Sequence, residues 1–202
     1  MTLATTPTIL IVPGLRDHVE DHWQTHLERR VPNARSVAPL DADKLSRAAR
    51  VAALDAALAA IDGPVILVAH SAGVMIVAHW ARQATRAIHG ALLAAPADLD
   101  TPMPEGYPTP DALAAHGWTP VPTGPLPFPS IVAASRNDPL ARFDRVETLA
   151  AGWGSRLVDL GEVGHLNPAS GYGEWRDAER WIGEVAALGK TPLHPGGLTF
   201  PA

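Results

Sequence analysis

The chain has 202 residues, of which 47% are hydrophobic and 18% are charged, and its formal net charge is -5 at pH 7. This length and balance predict one medium-sized globular domain and exclude a disordered chain. The absence of cysteine excludes disulfides, thiolate catalysis, zinc–thiolate sites and iron–sulfur clusters. Because phosphate binding favours a basic face, the acidic balance gives no reason to expect a nucleic-acid partner.

Membrane and targeting signals are not apparent. No apolar run reaches the roughly 18 residues of a membrane span. The first residues, MTLATTP, lack the basic segment of a secretory signal. We therefore expect no membrane partner and a cytoplasmic location. The sequence gives no indication of a protein partner.

Short apolar runs alternate with longer helical segments along the chain. The predicted strands are 8–12, 35–38, 65–68, 91–95, 131–134 and 156–160, and the predicted helices are 19–30, 46–61, 74–86, 140–151 and 173–188. Such alternation indicates right-handed crossovers and a parallel sheet. The predicted fold class is α/β, with a mostly parallel central sheet of about six strands, helices on both faces and no large cap domain.

Residues 1–202 are expected to form a single domain with its core at about 8–188. The stretch 96–129 breaks the alternation and holds half of the chain's 20 prolines. Because long irregular insertions are typically functional or flexible loops, we interpret it as a minimal lid with a short helix around 111–116. The alternative is a surface loop that does not contact substrate. The tail 189–202 is expected to be a loosely docked end.

The segment Ala69-His70-Ser71-Ala72-Gly73 lies between a predicted strand and a predicted helix, which is the context of a nucleophile elbow. A sharp turn there raises the Ser71 hydroxyl above the carboxyl edge of the sheet. Small residues are needed two positions before and after the serine, because the helix packs closely on the strand. Ala69 stands where the G-x-S-x-G pattern has its first glycine.

A serine nucleophile needs a base, and the base needs an acceptor for its other nitrogen. His165, on a glycine-flanked loop after the last predicted strand, is the candidate base, and Asp138, after the strand 131–134, is the candidate acid. The alternatives are an exposed loop histidine and a helix N-cap aspartate. Competing acids, each less well placed, are Asp144, Asp159 and Glu162.

Three further histidines, at positions 18, 22 and 26, recur every four residues over the predicted helix 19–30. One shared helix face would then suggest a metal site. The H-x-x-x-H spacing lacks the glutamate of a zinc-protease helix, so we expect no bound metal and interpret these side chains as a solvated face.

The oxyanion that forms during acyl transfer requires two backbone N–H donors. We expect one from Ala72, directly after the nucleophile, and one from Leu15, in the loop after the first strand, where Gly14 permits a sharp turn. The alternative for that loop is a turn that only ends the strand. Gly14 and His70 are also candidate substrate contacts, although His70 is expected to point away from Ser71 and to be structural.

Five segments of the chain resemble motifs of the α/β-hydrolase superfamily, and most of all those of the small YdeN-like serine hydrolases, which include the retinoblastoma-binding-protein-nine type. The segments are Val12-Pro13-Gly14, His22-Trp23-Gln24, Ala69-His70-Ser71-Ala72-Gly73, Ser135-Arg136-Asn137-Asp138-Pro139 and Gly164-His165-Leu166-Asn167. The resemblance extends from about residue 8 to residue 188. The stretch 98–127 matches no motif, so substrate selection stays open.

The resemblance implies an α/β-hydrolase fold and a catalytic triad of Ser71, Asp138 and His165, in the chain order of that superfamily. It also implies that Trp23, with His22, shapes the pocket near the oxyanion loop. A core anchor is the alternative for Trp23.

Together these residues predict a serine hydrolase that cleaves a small ester, thioester or amide through an acyl-enzyme on Ser71, with His165 as base and Asp138 as orienting acid. No cofactor is needed for this chemistry. The predicted activity is carboxylesterase-like, with an aminopeptidase-like amidase as the alternative. A scaffold protein with weak or vestigial catalysis is the alternative from another class, and it is distinguished by whether His165 reaches Ser71.

Overall fold

The computed structural model describes residues 6–189, so the predicted tail lies outside the described residues except for Gly189. One parallel sheet has the strand order β2-β1-β3-β4-β5-β6. Its strands are β1 (Thr8–Val12), β2 (Ala34–Ser36), β3 (Val65–His70), β4 (Gly90–Ala94), β5 (Ser130–Ala134) and β6 (Arg156–Asp159). The helices are α1 (Trp23–Arg30), α2 (Arg47–Ala59), α3 (Ala72–Ala81), α4 (Pro110–Ala115), α5 (Phe143–Trp153) and α6 (Asp177–Leu188). The predicted fold class is confirmed.

Helices cover both faces of the sheet because its strands are apolar on both sides. Along β1, Leu10 belongs to the core beneath α2, α3 and α5, while Ile9 and Ile11 belong to the core beneath α1 and α6. All six residues of β3 are buried. Continuous apolar strands of this kind are typical of parallel sheets that are buried on both faces.

The functional loops meet where the strand order reverses. From β1 the chain first crosses to β2 on one side and then to β3 on the other, which makes the carboxyl ends of β1 and β3 neighbours, with Val12 paired to Ala69. Ligands of open α/β sheets bind in the crevice at such a switch point. The elbow after β3 therefore faces the loop after β1.

Several predicted helix bounds were wrong. The helix predicted over 19–30 begins only at Trp23, because the ring of His22 takes the N-cap and its Nδ1 accepts a hydrogen bond from Gln24 N at 3.2 Å. His18 and His22 thus lie outside the helix, and no histidine face exists. The helix predicted over 74–86 ends at Ala81, and the following segment is tied to α2 by Arg86, which donates to the Leu58 carbonyl at 2.8 Å.

The proline-rich insertion consists of two parts with different roles. Its later part is fixed to the body, because buried Trp118 donates from Nε1 to the Leu45 carbonyl at 2.7 Å and Leu126 N donates to the Trp153 carbonyl at 3.0 Å. Residues of the range 97–108 instead line the cavity above Ser71. The lid interpretation is therefore restricted to that first part. The expected short helix is α4.

Within residues 6–189 no helix has the length and apolarity needed to cross a membrane.

Candidate active site

Ser71 occupies a strained turn between β3 and α3, with φ 59° and ψ -129°. A non-glycine residue in this region costs roughly 1–3 kcal/mol, and such strain concentrates at functional sites. Gly73 makes the turn sterically possible, since a Cβ at that position would lie 2.2 Å from the Val12 carbonyl oxygen. The alanine at position 69 is fully buried within β3, so the missing first glycine does not prevent the elbow.

The structure brings the three predicted catalytic side chains into one hydrogen-bonded chain. His165 Nε2 lies 2.8 Å from Ser71 Oγ, and His165 Nδ1 lies 2.9 Å and 2.8 Å from the two carboxylate oxygens of Asp138. A carboxylate only accepts, so Nδ1 carries the hydrogen and Nε2 offers its lone pair to the serine hydroxyl. This is the tautomer that a general base requires.

Asp138 is not a helix N-cap. The helix predicted to begin at residue 140 begins at Phe143, with Arg142 at its N-cap, while Asp138 Oδ1 accepts from Leu140 N at 2.8 Å. This short bond orients the carboxylate toward His165. Two competing acids are engaged elsewhere, because exposed Asp144 pairs with Arg142 and exposed Asp159 pairs with Arg136.

The loop that carries His165 is held by three polar side chains that the sequence did not single out. Ser135 Oγ accepts from Val163 N at 3.2 Å, and Asn137 Oδ1 accepts from Gly164 N at 2.7 Å. Ser170 Oγ accepts from His165 N at 3.0 Å. The segment that supplies the acid therefore also positions the base, which couples the two loops.

Two further imidazoles pack beside the base. The ring centroids of His22 and His70 are 4.6 Å apart, and those of His70 and His165 are 4.8 Å apart. His70 Nε2 donates to the His165 carbonyl oxygen at 2.8 Å, so His70 positions the loop, in agreement with its expected structural role. Burial and the neighbouring His165 hold the pKa of His70 well below its ordinary value and lower the pKa of His22 to about 4. Both rings are thus neutral at pH 7, and they add no charge beside the imidazolium that forms on His165.

Acid is expected to destabilise the fold through His22. Its pKa falls from 6.5 to about 4 in the native state, so the native state binds fewer protons than the unfolded chain. The contribution is complete above pH 6.5 and is lost as the pH falls toward 4. Urea unfolding should show a loss of about 2 kcal/mol from this group between pH 7 and pH 5.

The control for this prediction is His22→Asn. Asparagine keeps an N-cap acceptor but does not titrate. The variant should therefore lose less stability than the wild type over the same pH interval, by about the same 2 kcal/mol. Equal losses in the two proteins would contradict the assignment.

The loop after β1 approaches the nucleophile closely. A Cβ on Gly14 would lie 3.2 Å from Ser71 Cβ and 3.5 Å from Ser71 Oγ, so a larger residue would crowd the reacting atom. Among the described residues the N–H of Leu15 donates to no protein group, and Ala72 is the first residue of α3, where N–H groups have no partner within the helix. One predicted oxyanion donor thus lies in the loop after β1, and the other lies at the N-terminus of α3, directly after Ser71.

Sequence reasoning missed a role for Arg50. Its side chain supports the loop after β1, called the oxyanion loop here because it carries the predicted donor Leu15. This side chain of α2 is only 6% exposed. Its guanidinium donates to Asp17 Oδ1 at 2.5 Å, to the Leu15 carbonyl at 3.2 Å and to the Lys44 carbonyl at 2.8 Å. One buried cation therefore holds the Leu15 carbonyl and the Asp17 carboxylate, on the two residues that flank Arg16. A helix pattern alone gives no signal for it, because its partners are distant in sequence.

The prediction that Trp23 shapes the pocket is wrong. Its ring is 1% exposed and packs edge-on against Trp175, with centroids 4.9 Å apart, in the core beneath α1 and α6. The core-anchor alternative is the one observed. Its neighbours in sequence reach the cavity instead, since His22 and Gln24 both line it.

A cavity of about 400 Å³ opens above Ser71 and His165. Its walls are mainly apolar and include Leu15, Val19, Leu45, Ala97, Leu99, Met103, Tyr107, Pro108, Leu140 and Ala169. Gly14 and His70 also border it. Within residues 6–189 no three histidine, aspartate or glutamate side chains are grouped to hold a metal ion. The site thus combines a mainly apolar chamber with a smaller set of polar groups, as small-molecule sites do.

An α/β-hydrolase is recognised by a nucleophile elbow and by serine, acid and histidine, in that chain order, on the loops after three strands of a parallel sheet. The described sheet carries these features in that order. The family model for serine hydrolases matches residues 9–184, and the chain belongs to this family.

Solved structures agree with this assignment. A YdeN-like hydrolase from Pectobacterium atrosepticum is 33% identical over 90% of this chain and 91% of its own, with a TM-score of 0.75. The ydeN gene product from B. subtilis is 16% identical over 90% of this chain and 100% of its own, with a TM-score of 0.69. Est1E from Butyrivibrio proteoclasticus, solved with ferulic acid bound, is 12% identical over 92% of this chain and 89% of its own, with a TM-score of 0.66. The last two share the fold alone. No curated protein matches the sequence. The resemblance to small YdeN-like hydrolases is confirmed.

Proposed function

We propose that this serine hydrolase cleaves a small carboxylic ester or thioester through an acyl-enzyme on Ser71. The observation that supports this most directly is the 2.8 Å hydrogen bond between Ser71 Oγ and His165 Nε2, with Asp138 on the far side of the imidazole. A resting geometry of this kind needs no rearrangement before proton transfer.

Acylation begins when Ser71 Oγ attacks the substrate carbonyl carbon and His165 Nε2 takes the hydroxyl proton. The tetrahedral oxyanion accepts hydrogen bonds from the N–H groups of Leu15 and Ala72. Asp138 stabilises the imidazolium without taking its proton. The imidazolium then protonates the leaving alcohol or thiol, and the carbon–heteroatom bond breaks to leave Ser71 acylated.

Deacylation repeats these steps with water as the nucleophile. His165 removes a proton from the attacking water, the second oxyanion occupies the same two N–H groups, and the returning proton restores the Ser71 hydroxyl. The products are a carboxylic acid and the alcohol or thiol. Every proton in the cycle is carried by His165, so this chemistry requires no cofactor.

The scaffold alternative predicted a histidine out of reach of the serine, and the geometry does not favour it. The strained elbow has a conformational cost that a binding surface does not need, and a binding surface has no use for hydrogen-bonded Ser71, His165 and buried Asp138. Amide cleavage uses the same catalytic groups and differs only in the leaving atom. A comparison of ester and amide turnover therefore distinguishes the two activities.

Hydrolysis of p-nitrophenyl esters of graded chain length, beside aminoacyl anilides, tests the proposed function. We expect ester turnover by the wild type that Ser71→Ala lacks. Anilide turnover that exceeds ester turnover would replace the esterase assignment by the amidase one. A folded wild-type protein that cleaves no member of either series would contradict the proposal.

Removal of the Arg50 clamp is expected to lower kcat more than it raises KM. In Arg50→Met the carbonyl of Leu15 and the carboxylate of Asp17 lose their shared donor, so the oxyanion loop loses its fixed position. Because the oxyanion forms during the reaction and is absent from the bound substrate, kcat should fall by about tenfold to a hundredfold. Arg50→Lys should restore part of this loss, since it keeps the buried charge.

The matched control is Arg47→Met, on the same helix. Arg47 donates from Nε to the Gly117 carbonyl at 2.9 Å, away from the oxyanion loop. Arg47→Met therefore removes a comparable hydrogen bond from arginine to a backbone carbonyl, while the contacts of Arg50 with the oxyanion loop stay in place. Equal kcat values in Arg50→Met and Arg47→Met would show that Arg50 does not position the oxyanion donors.

A further inference from the structure

The cavity above Ser71 has a cationic rim that the hydrolytic chemistry does not use. Arg16 and Lys44 both line it, and both side chains are exposed. Within residues 6–189 neither cation pairs with a carboxylate. The guanidinium of Arg16 lies 5.4 Å from the ring centre of Tyr107, which belongs to the first part of the insertion. Both cations are therefore available to a bound ligand.

The two cations stand on neighbouring loops, and that juxtaposition is built into the fold. Buried Arg50 donates both to the carbonyl of Leu15, the residue before Arg16, and to the carbonyl of Lys44 itself. A single guanidinium spans only a few ångströms, so the two backbone segments lie side by side. The side chains of Arg16 and Lys44 thus extend from one fixed edge of the cavity.

No acidic group cancels these charges within the cavity. Asp17 is the one carboxylate of the described lining, and it is bound to Arg50 at 2.5 Å. Asp41 and Asp43, on the same loop as Lys44, are exposed and do not line the cavity. The described cavity lining thus carries two cations without a carboxylate partner, although the whole chain has a net charge of -5. Charge of one sign at the mouth of an apolar cleft favours ligands of the opposite sign.

We propose that Arg16 and Lys44 form an anion-binding subsite for the substrate of this enzyme. The inference rests on the proposed function, because it concerns the ester or thioester that Ser71 attacks. The substrate then has two parts: a reacting carbonyl at the triad, and a carboxylate or phosphate group at the rim. An apolar segment between them fills the chamber formed by Leu45, Leu99 and Met103.

Matched ester pairs test this subsite. On the acyl side, mono-p-nitrophenyl adipate and suberate are compared with p-nitrophenyl hexanoate and octanoate. On the alcohol side, 4-carboxyphenyl and 4-phosphonooxyphenyl hexanoate are compared with phenyl hexanoate. The measured quantity is the ratio of kcat/KM for the anionic ester to kcat/KM for its neutral partner. Comparison of the acyl-side pairs with the alcohol-side pairs shows which side of the carbonyl carries the anion. The 4-phosphonooxyphenyl ester distinguishes a preference for phosphate from a preference for carboxylate.

We expect the ratio to exceed one in at least one pair and to fall by about threefold to tenfold in each of Arg16→Gln and Lys44→Gln. The preference should also weaken as salt is raised, since both cations are exposed. Arg35→Gln is the matched control, because it removes an exposed cation on β2 that does not line the cavity.

Two results would overturn the proposal, and they are distinguishable. Neutral esters that are hydrolysed as well as their anionic partners, with no change in the ratio on substitution, would exclude the subsite and leave the hydrolase function intact. Failure to hydrolyse any of the esters would overturn the proposed function and this inference with it.

Discussion

Replacement of Ser71 by alanine is expected to lower kcat for ester hydrolysis by about 10⁴-fold to 10⁶-fold. The variant lacks the atom that forms the acyl-enzyme, and the remaining oxyanion donors supply only the residual acceleration known from other disabled triads. The fold should persist, because alanine at φ 59° carries the same backbone strain as serine. Steady-state turnover and urea unfolding of the same preparation measure both quantities.

The matched control is Ser130→Ala. Ser130 is a buried serine of β5 whose hydroxyl lies 2.6 Å from Ser155 Oγ, away from the triad. Ser130→Ala removes a serine hydroxyl as Ser71→Ala does, but its turnover should stay close to that of the wild type. If Ser71→Ala retained more than about a tenth of wild-type activity, Ser71 could not be the nucleophile.

Asp138→Asn is expected to lower kcat by about 10²-fold to 10⁴-fold. The amide of asparagine can donate to His165 Nδ1, which favours the tautomer with hydrogen on Nε2. That hydrogen then faces Ser71 Oγ, and the imidazole is unable to take the serine proton. The loss should appear in kcat, measured with a p-nitrophenyl ester at neutral pH.

The control for Asp138→Asn is the same substitution at Asp159, one of the competing acids. Asp159→Asn makes the same change in an exposed carboxylate that is paired with Arg136 and does not contact His165. Its effect on kcat should be small. An equal or larger loss in Asp159→Asn would move the role of orienting acid away from Asp138.

The fold and the three candidate catalytic positions could be predicted from local sequence because each is marked within a few residues. Short apolar runs ended by small or turn residues define the strands. Ser71 follows such a run directly, and Asp138 and His165 lie in the loops that follow two others. In a parallel sheet all these ends lie on one edge. Sequence order and sheet geometry are therefore enough to expect the three groups near one another.

Contacts between distant segments were not readable in this way. Arg50 is one of two arginines on an alanine-rich helix, and only the folded chain shows that its partners are Asp17, Leu15 and Lys44. The resemblance implied a pocket role for Trp23 together with His22, yet adjacent side chains at the start of a helix point to different sides. Its burial against Trp175 depends on a segment about 150 residues later.

Helix starts were misplaced for a related reason. Residues 19–22 and 140–142 have helical periodicity, but polar groups there have other hydrogen bonds to make. His22 caps α1 from outside, and Asp138 fixes the N–H of Leu140 for the triad. Local propensity loses to these contacts, and the second of them lies in the candidate active site.

The central claim is that Ser71 is a nucleophile activated by His165, and covalent labelling tests it most directly. The folded wild type is treated with a fluorophosphonate, and the adduct is located by mass spectrometry of its peptides. The account predicts a single adduct on the peptide that contains Ser71, absent from Ser71→Ala and formed much more slowly in His165→Ala. A folded wild type that takes no label, or a Ser71→Ala variant that is labelled as fast as the wild type, would contradict it.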